Sequence, residues 1–509
     1  MLLKSSITLA FWTILSRISG FIRDSVMASF FGTSMVSDAF VAASKLPNSF
    51  RRLLGEGALS SVFTVMFSNI LAEKKQEEAN EFMSKIFSYL LLTLIIGVVI
   101  FEIFMPQVIS FISPGFAKIP EKFTLTVALA RVNFIFIIAI CLASICGSAL
   151  NSIAKFGYFA AMPILHNLGL VCVFFIFSGS SNLAYILSYA IVFIGFFQLF
   201  FLLIICNKNK IRPKVKICVK SDEKTRQFLG KMTNGLIGSG IYQINIFVDS
   251  IFASVSAGGV SYLYYTDRIN QLPLTLIGGT LGVSLLPILS KKLKLGEFKE
   301  VAKIHDQCVL FALFAAIFCC SVVCCLHNEI IAFVYERGVF TSLDTQIVGK
   351  MLFIFSFGFC FSILSKIYNA FLFANLDTKS PMLIGGFCAL VNVIVNFLTY
   401  KKYGFFCVVY ATLISSILSG ILPLIIAHRK KLISINLKLV RSVITLICIG
   451  YFTYFAGKIL MSHLVNLGIK SSISMLITMI LTGFLYCILS LLMRVYKVRD
   501  LVLVFGKKV

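Results

Sequence analysis

Charge is scarce in this 509-residue chain, and negative charge is the scarcer kind: 13% of residues are charged, with 21 Asp and Glu against 46 Lys and Arg. An ordinary soluble domain is about 25% charged and about 45–50% apolar. Here 59% of residues are hydrophobic and the mean hydropathy is +0.95. That balance excludes a water-soluble globule, because its apolar surface has nowhere to hide, and it makes lipid the solvent. Enzyme signatures are also missing. There is no G-x-S-x-G, no H-E-x-x-H, no Walker A loop and no Cys/His constellation. Without a nucleotide-binding loop, ATP is not expected to drive the protein directly. His166, His305, His327, His428 and His463 show no metal-ligand spacing. The 15 cysteines are scattered, and the densest group, Cys319, Cys320, Cys324 and Cys325, has neither C-x-x-C spacing nor a His or acidic residue within it. They are expected to act as small packing groups in membrane helices, so neither a catalytic residue, a cofactor nor a metal is expected.

The positive excess, +25 in net charge, has two readings. Nucleic acid is one. The other is favoured, because most Lys and Arg sit in short clusters between apolar segments, where they act as topology signals and contacts for anionic head groups. No nucleic-acid partner is expected; membrane lipids are.

A helix needs about 20 apolar residues to cross a hydrocarbon core of about 30 Å, and windows of that kind give about fourteen spans. They lie at 7–31, 36–67, 86–112, 124–150, 157–178, 182–206, 228–255, 258–289, 305–335, 346–374, 382–400, 404–427, 440–462 and 471–493. The first carries Arg17, Arg23 and Asp24 and lacks a small-residue cleavage site, so it reads as a retained helix and not a signal peptide. One set of loops is rich in cations: Lys74, Lys75 and Lys85; Lys155; Lys208 to Lys220; Lys291, Lys292 and Lys294; Lys379; Arg429, Lys430 and Lys431. The alternate set carries Lys118 and Lys122, Arg337, Lys401 and Lys402, and Lys470. The rich set belongs in the cytoplasm together with both termini, as an even span count requires.

No long extramembrane domain interrupts this pattern. The largest break, 207–227, is a basic cytoplasmic linker between an N-terminal lobe (1–206) and a C-terminal lobe (228–436), each of six helices, followed by a two-helix segment and tail (437–509). The second span of each lobe places a proline about a third of the way along a Gly-bearing helix: Pro47 with Gly55 and Gly57, and Pro273 with Gly278, Gly279 and Gly282. Duplicated halves with the substrate site between them are a common transporter plan.

The informative residues are charges inside spans. A central Arg, Lys or Asp costs about 2.5–3.5 kcal/mol on insertion scales, so such groups face each other or water. Arg17 and Asp24, seven residues apart, share a helix face, with Arg23 about 100° from Asp24. Asp38, Lys45 and Arg52 recur every seven residues as one polar stripe, joined in that span by Arg51 and Glu56. Asp267 and Arg268 lie in the eighth span, and Arg17 and Arg268 fall about 15 Å from their span starts. Carboxylates and arginines could neutralise neighbouring helices. Yet the six cations Arg17, Arg23, Lys45, Arg51, Arg52 and Arg268 outnumber the four anions Asp24, Asp38, Glu56 and Asp267. A cavity lined this way needs an anionic guest, and paired guanidinium donors suit a pyrophosphate. Asp249, Arg131 and Lys366 are single and read as packed structural residues.

These segments resemble a known family. Ser16-Arg17-Ile-Ser-Gly20-Phe-Ile-Arg23-Asp24, then Phe31-Gly32 and Ser37-Asp38-Ala39-Phe40, resemble the opening of the MurJ (MviN) lipid II flippases. So do Lys45-Leu46-Pro47-Asn48-Ser-Phe-Arg51-Arg52 with Gly55-Glu56-Gly57-Ala58, Ser113-Pro114-Gly115-Phe116, Leu150-Asn151, Tyr264-Tyr265-Thr266-Asp267-Arg268 with Gln271-Leu272-Pro273, and Asp377-Thr-Lys-Ser-Pro381. The likeness covers nearly the whole chain in order and is most specific in the first 60 residues. The resemblance implies membership of the multidrug/oligosaccharidyl-lipid/polysaccharide exporter superfamily. It implies an all-α polytopic protein of the bacterial inner membrane, with two six-helix lobes around a central cationic cavity and two C-terminal helices forming a groove for a polyprenyl tail.

It further implies that Arg17, Arg23, Arg51 and Arg268 bind substrate. Asp24, Asp38, Asn48, Arg52, Glu56, Ser261, Asp267 and Gln271 would support or gate it; some members carry a glutamate where Gln271 stands. The implied activity is translocation of lipid II, undecaprenyl-pyrophosphoryl-MurNAc-pentapeptide-GlcNAc, to the periplasmic leaflet by alternating access. The membrane potential or a coupling ion would drive it, and cell-wall synthesis proteins are further partners. Competing readings are another exporter of the superfamily, moving a polyprenyl-linked oligosaccharide or a drug, and a membrane enzyme acting on the same lipid.

Overall fold

The computed structural model of the chain describes residues 2–55, 58–73, 75–215, 222–433 and 436–495. They fold almost entirely into helices, and by contacts between elements the chain divides into two compact units. Among the described residues nine helices are long and apolar enough to cross a membrane, or ten if a bent pair counts as one span.

The first unit comprises Met1–Ser261 with Arg337–Phe340. Its helices are α1 (Leu2–Phe31), α2 (Met35–Phe50), α3 (Ala58–Ala72), α4 (Gln76–Ile112), α5 (Pro120–Ser152), α6 (Phe156–Ala160), α7 (Met162–Ile176), α8 (Leu183–Lys208) and α9 (Glu223–Ala253). Gly32, at φ +54°, ends α1, and Ser34 caps α2 by accepting the Ser37 amide. Pro47 has no amide to give the helical ladder, and a π-helical turn, Arg51–Gly55, separates α2 from α3. At the centre lies α5, packed against α2, α3, α4 and α8. Its small residues Ala143, Ser144, Cys146, Gly147 and Ser148 are buried, which lets neighbouring backbones approach closely. A side chain at Gly147 would meet the Phe159 ring at 2.3 Å.

The sequence pattern assigns α9 to the C-terminal lobe, but it packs on α3 and α4 in this first unit. Ion pairs hold its start: Lys85 binds Asp222 at 3.0 Å, and Lys224 binds Glu78. Nor is the preceding linker merely solvated. Its residues 209–215 are strapped along α4: Asn80 bonds the Lys210 carbonyl and the Arg212 amide, Ser84 accepts the Lys214 amide, and Ser88 donates to the Lys214 carbonyl.

The second unit comprises Tyr262–Glu336 and Thr341–Val509. Its helices are α10 (Gly259–Pro273, whose first residues belong to the first unit), α11 (Thr280–Lys294), α12 (Phe298–Tyr335), α13 (Ser342–Ser356), α14 (Phe359–Ala374), α15 (Lys379–Tyr403), α16 (Cys407–Arg429), α17 (Leu437–Asn466) and α18 (Ser471–Leu492). Pro273 leads into a second π-helical turn, Leu274–Gly279, between α10 and α11. Both proline-bearing helices that suggested a repeat are thus broken by a π turn, a closer likeness than their sequences show. Helices α13 and α14 meet at 45° and form the bent pair.

At the centre of this unit α12 packs on α11, α13, α14, α17 and α18. Tyr486 of α18 donates to the Phe314 carbonyl at 3.0 Å, and Gly450 and Gly457 of α17 admit Ile317 and Cys325. Counting α2/α3, α6/α7, α10/α11 and α13/α14 each as one rod gives about fourteen rods, compatible with the count of spans read from hydropathy.

Candidate functional site

The candidate charges fall in both units. In the first, Arg17 is exposed on α1 and has no ion pair among the described residues. Arg23, one and a half turns further on, is half-buried. Its Nε and Nη2 donate to Asp24 Oδ1 at 3.0 and 2.6 Å, and its Nη1 donates to Asn167 Oδ1 of α7 at 3.0 Å. Asn167 donates in turn to Ser19 at 3.1 Å. The face-sharing expected of Arg17 and Asp24 does not make them partners. Asp24 is buried and Arg17 is not, and the long Arg23 arm folds across the helix to its neighbour.

Beyond Pro47, Asn48 donates to the Ser44 carbonyl at 2.8 Å, and Arg51 opens the π turn. His166 of α7 lies within electrostatic reach of both Arg23 and Arg51, so two of the four candidate arginines act on one neighbourhood. Arg52 is half-buried in the same π turn, and Glu56 lies outside the described residues.

Asp38 does not belong to a continuous polar stripe. It is wholly buried, while Lys45 and Arg52 are half-buried. Arg52, the last of the three positions, stands in the π turn, beyond the regular helix that carries Asp38 and Lys45. Asp38 accepts from Lys122 Nζ at 2.6 Å, from the Gly258 amide at 2.9 Å, and from Ser261 through its amide at 2.8 Å and its hydroxyl at 2.7 Å. Lys122, expected to be an extramembrane topology charge, is therefore the buried counter-ion of Asp38. Ser261 thus lies against the Asp38 carboxylate, and its hydroxyl also bonds Ser37 at 3.0 Å.

In the second unit Arg268 stacks over the Tyr264 ring, 4.7 Å from its centroid, and donates to the Tyr264 hydroxyl at 3.2 Å. Gln271 donates to Asp267 one turn back, which orients that carboxylate. Lys366 of α14, read as a packed structural residue, is exposed and donates to the Leu274 carbonyl at 3.2 Å, at the start of the π turn. Cys320 and Cys324 lie 3.9 Å apart beside Ser356, and no His, Cys, Asp or Glu group is placed to hold a metal among the described residues.

Sequence reasoning missed Lys122 and Asn167. Lys122 resembled a loop charge next to a span start. Asn167 carries no charge and sits in an apolar helix, so nothing in the sequence marks it.

An all-α membrane protein whose second and eighth spans break at Pro-led π turns, with cations inside its spans, has the fold of a multidrug-type exporter. A multidrug resistance transporter of the MATE family and MOP superfamily, in an inward-facing conformation, superposes with a TM-score of 0.62 at 13% identity, covering 83% of this chain and 94% of its own; that likeness concerns the fold alone. A solved lipid II flippase MurJ in an inward-closed conformation matches at a TM-score of 0.81 and 25% identity, over 97% of this chain and all of its own. The family model for lipid II flippase MurJ matches residues 27–497, and the chain belongs to that family. Similar relatives include the probable lipid II flippases MurJ of Rickettsia prowazekii (strain Madrid E), 36% identical over 78% of both chains, and of Aquifex aeolicus (strain VF5), 30% identical over 82% of this chain and 81% of its own.

Proposed function

We propose that this member of the family moves lipid II from the cytoplasmic to the periplasmic leaflet by alternating access, and that Arg17, Arg23, Arg51 and Arg268 bind its pyrophosphate. The observation that carries the site assignment is Arg17: an exposed guanidinium on a membrane helix, with no carboxylate paired to it among the described residues. Such a group does not face lipid, and a phosphate anion supplies the bidentate partner it lacks. Arg23 and Arg51 act on the same part of the first unit, around His166. Arg268 is held by Tyr264, which leaves its planar fork oriented.

The head group enters from the cytoplasm, the arginines hold the pyrophosphate, and the two lobes rock to expose it to the periplasm. The polyprenyl tail stays in lipid along α17 and α18, where Ile459, Phe484 and Ile488 present exposed apolar surface. The membrane potential or a coupling ion drives the cycle; one charge moved is worth about 2.3 kcal/mol per 100 mV. Both termini lie in the cytoplasm, on the side of the basic loops. Cell-wall synthesis proteins are the expected partners beyond lipid II itself.

The test is reconstitution with labelled lipid II, following its appearance on the far leaflet for the wild type and for Arg17→Ala, Arg23→Ala, Arg51→Ala and Arg268→Ala. Loss of translocation in folded variants supports the assignment. Full activity in all four removes it.

A further inference from the structure

The pair formed by Lys122 and Asp38 has no place in the substrate steps above. Both side chains are sealed from solvent, with exposures of 3% and 0%, and their charged atoms lie 2.6 Å apart. The Lys122 ammonium also sits over the Phe116 ring, 4.0 Å from its centroid. Phe116 follows Gly115, whose amide donates to Ser254 Oγ at 3.1 Å. Gly115 is packed so closely that a Cβ there would lie 2.2 Å from the Ser254 carbonyl.

These contacts converge on one segment, 254–261: the turn 254–258 between α9 and α10 and the first residues of α10. Gly115 holds its first residue, and Asp38 holds Gly258 and Ser261 near its end. The next residue, Tyr262, begins the second unit, and α10 goes on to carry Asp267, Arg268 and Gln271. Asp38 accepts three bonds from this segment, and removing one partner of a buried, hydrogen-bonded ion pair disturbs the groups the other partner holds. Lys122 pairs with Asp38 from α5, a helix whose neighbours are all in the first unit.

We propose that Lys122 is a positioning residue of the flippase. By pairing with the buried Asp38 side chain it fixes the 254–261 segment in which α10 starts, and it sets the rate of translocation without touching lipid II. For its activity arm this rests on the flippase reading; for its structural arm it does not.

The test compares wild type, Lys122→Met, Lys122→Arg and the charge-balanced double variant Lys122→Met/Asp38→Asn in lipid nanodiscs and in proteoliposomes. Three quantities are read: amide exchange at Gly258 and Ser261, lipid II affinity, and lipid II translocation. Lys122→Met is expected to speed exchange at both amides and to slow translocation, each about tenfold or more, with lipid II affinity unchanged. Lys122→Arg restores most of both. Should Lys122→Met fail to fold, the double variant carries the test, since it leaves no uncompensated charge; it folds, exchanges fast and translocates slowly. Wild-type exchange and translocation in whichever of the two variants folds would overturn the proposal. So would a fall in affinity that matches the fall in translocation, because Lys122 would then be a binding residue. A wild type that exchanges as expected yet moves no lipid II would instead remove the flippase reading and leave the turn's tether standing.

Discussion

The Arg23 guanidinium binds the carboxylate of its sequence neighbour Asp24 through two nitrogens, at 3.0 and 2.6 Å. One of the four candidate cations is thus already paired before any substrate arrives, and its Nη1 also donates to Asn167. Loss of Arg23 therefore has two effects that a single substitution confounds. It removes a proposed ligand for the pyrophosphate, and it takes two bonds from Asp24, which is 4% exposed.

Breaking a buried charge pair costs up to about 3–5 kcal/mol. Arg23→Ala is expected to lose thermal stability on that scale, measured as an unfolding midpoint in detergent. Arg23→Ala/Asp24→Asn should recover most of the stability without recovering translocation. If the double variant regains full translocation, Arg23 serves Asp24 and not the substrate.

The loop 337–340 is fixed to α1 through backbone, and that predicts which substitutions matter. Val339 donates its amide to the Ser29 carbonyl at 3.0 Å, and Gly338 sits at φ +58° with room for no Cβ, which would meet that carbonyl at 2.2 Å. Gly338→Ala is expected to cost about 1–3 kcal/mol from backbone strain alone, more with the clash. Ser29→Ala should be silent at this contact, because the acceptor is main chain. Arg337→Ala, at an exposed side chain that donates to Ser25 Oγ, should cost less than Gly338→Ala. Unfolding midpoints of the three variants check the order, and a Gly338→Ala midpoint equal to wild type would refute it.

The helices were legible because lipid demands long apolar runs, and the breaks were legible because Pro47 and Pro273 cannot donate to a helix. That both breaks are π turns was not, since π geometry depends on which carbonyls find other donors. The cationic residue types of the site were legible as well, each being costly inside a span. Their partners were not. Lys122 meets Asp38 across 84 residues of sequence, and Asn167 meets Arg23 across 144. Hydropathy counts a lysine at a span start as a loop charge wherever its ammonium goes. The placement of α9 with the first unit includes two ion pairs, Lys85 with Asp222 and Lys224 with Glu78, that a topology rule treats as a sum and not as pairs.

The start of α9 should be insensitive to pH over a wide range. Burial opposes ionisation of Asp222, yet hydrogen bonds from Thr225 and Lys85 hold its carboxyl down to about 2, from 3.8. Hydrogen bonds to Glu81 and Asp222 raise Lys85 above 10.5. A lowered carboxyl contributes stability above its unfolded value and loses it as pH falls through the folded one; a raised amine contributes below its unfolded value and loses it as pH rises. The anchor therefore holds from about pH 5 to about pH 9 and loosens below about pH 4. Protection of the Thr225 amide, which donates to Asp222 at 2.9 Å, reports it. Asp222→Asn should show reduced protection already at neutral pH, and a wild-type amide that titrates between pH values of about 6 and 8 would contradict the assignment.

The π turn after Pro273 depends on a lysine from another helix. In π geometry the bonding pattern shifts to i→i+5, so a carbonyl at the turn's start is left for another donor. Leu274 receives it from Lys366 Nζ at 3.2 Å. The lysine stem lies against glycines: a Cβ at Gly278 would come within 3.0 Å of Lys366 Cδ, and Gly282 faces the Lys366 backbone. Lys366→Met keeps the apolar stem and removes the donor, which should cost about 1–3 kcal/mol if the carbonyl is then unsatisfied. Gly278→Ala keeps the donor and pushes the stem away. Both are expected to speed amide exchange at Gly278 and Gly279 and to slow lipid II translocation. Lys366→Arg should preserve the bond and most of the activity. Unchanged exchange in Lys366→Met would mean that the turn holds its geometry without the lysine. Any loss of transport would then come from the exposed charge itself and not from the hinge.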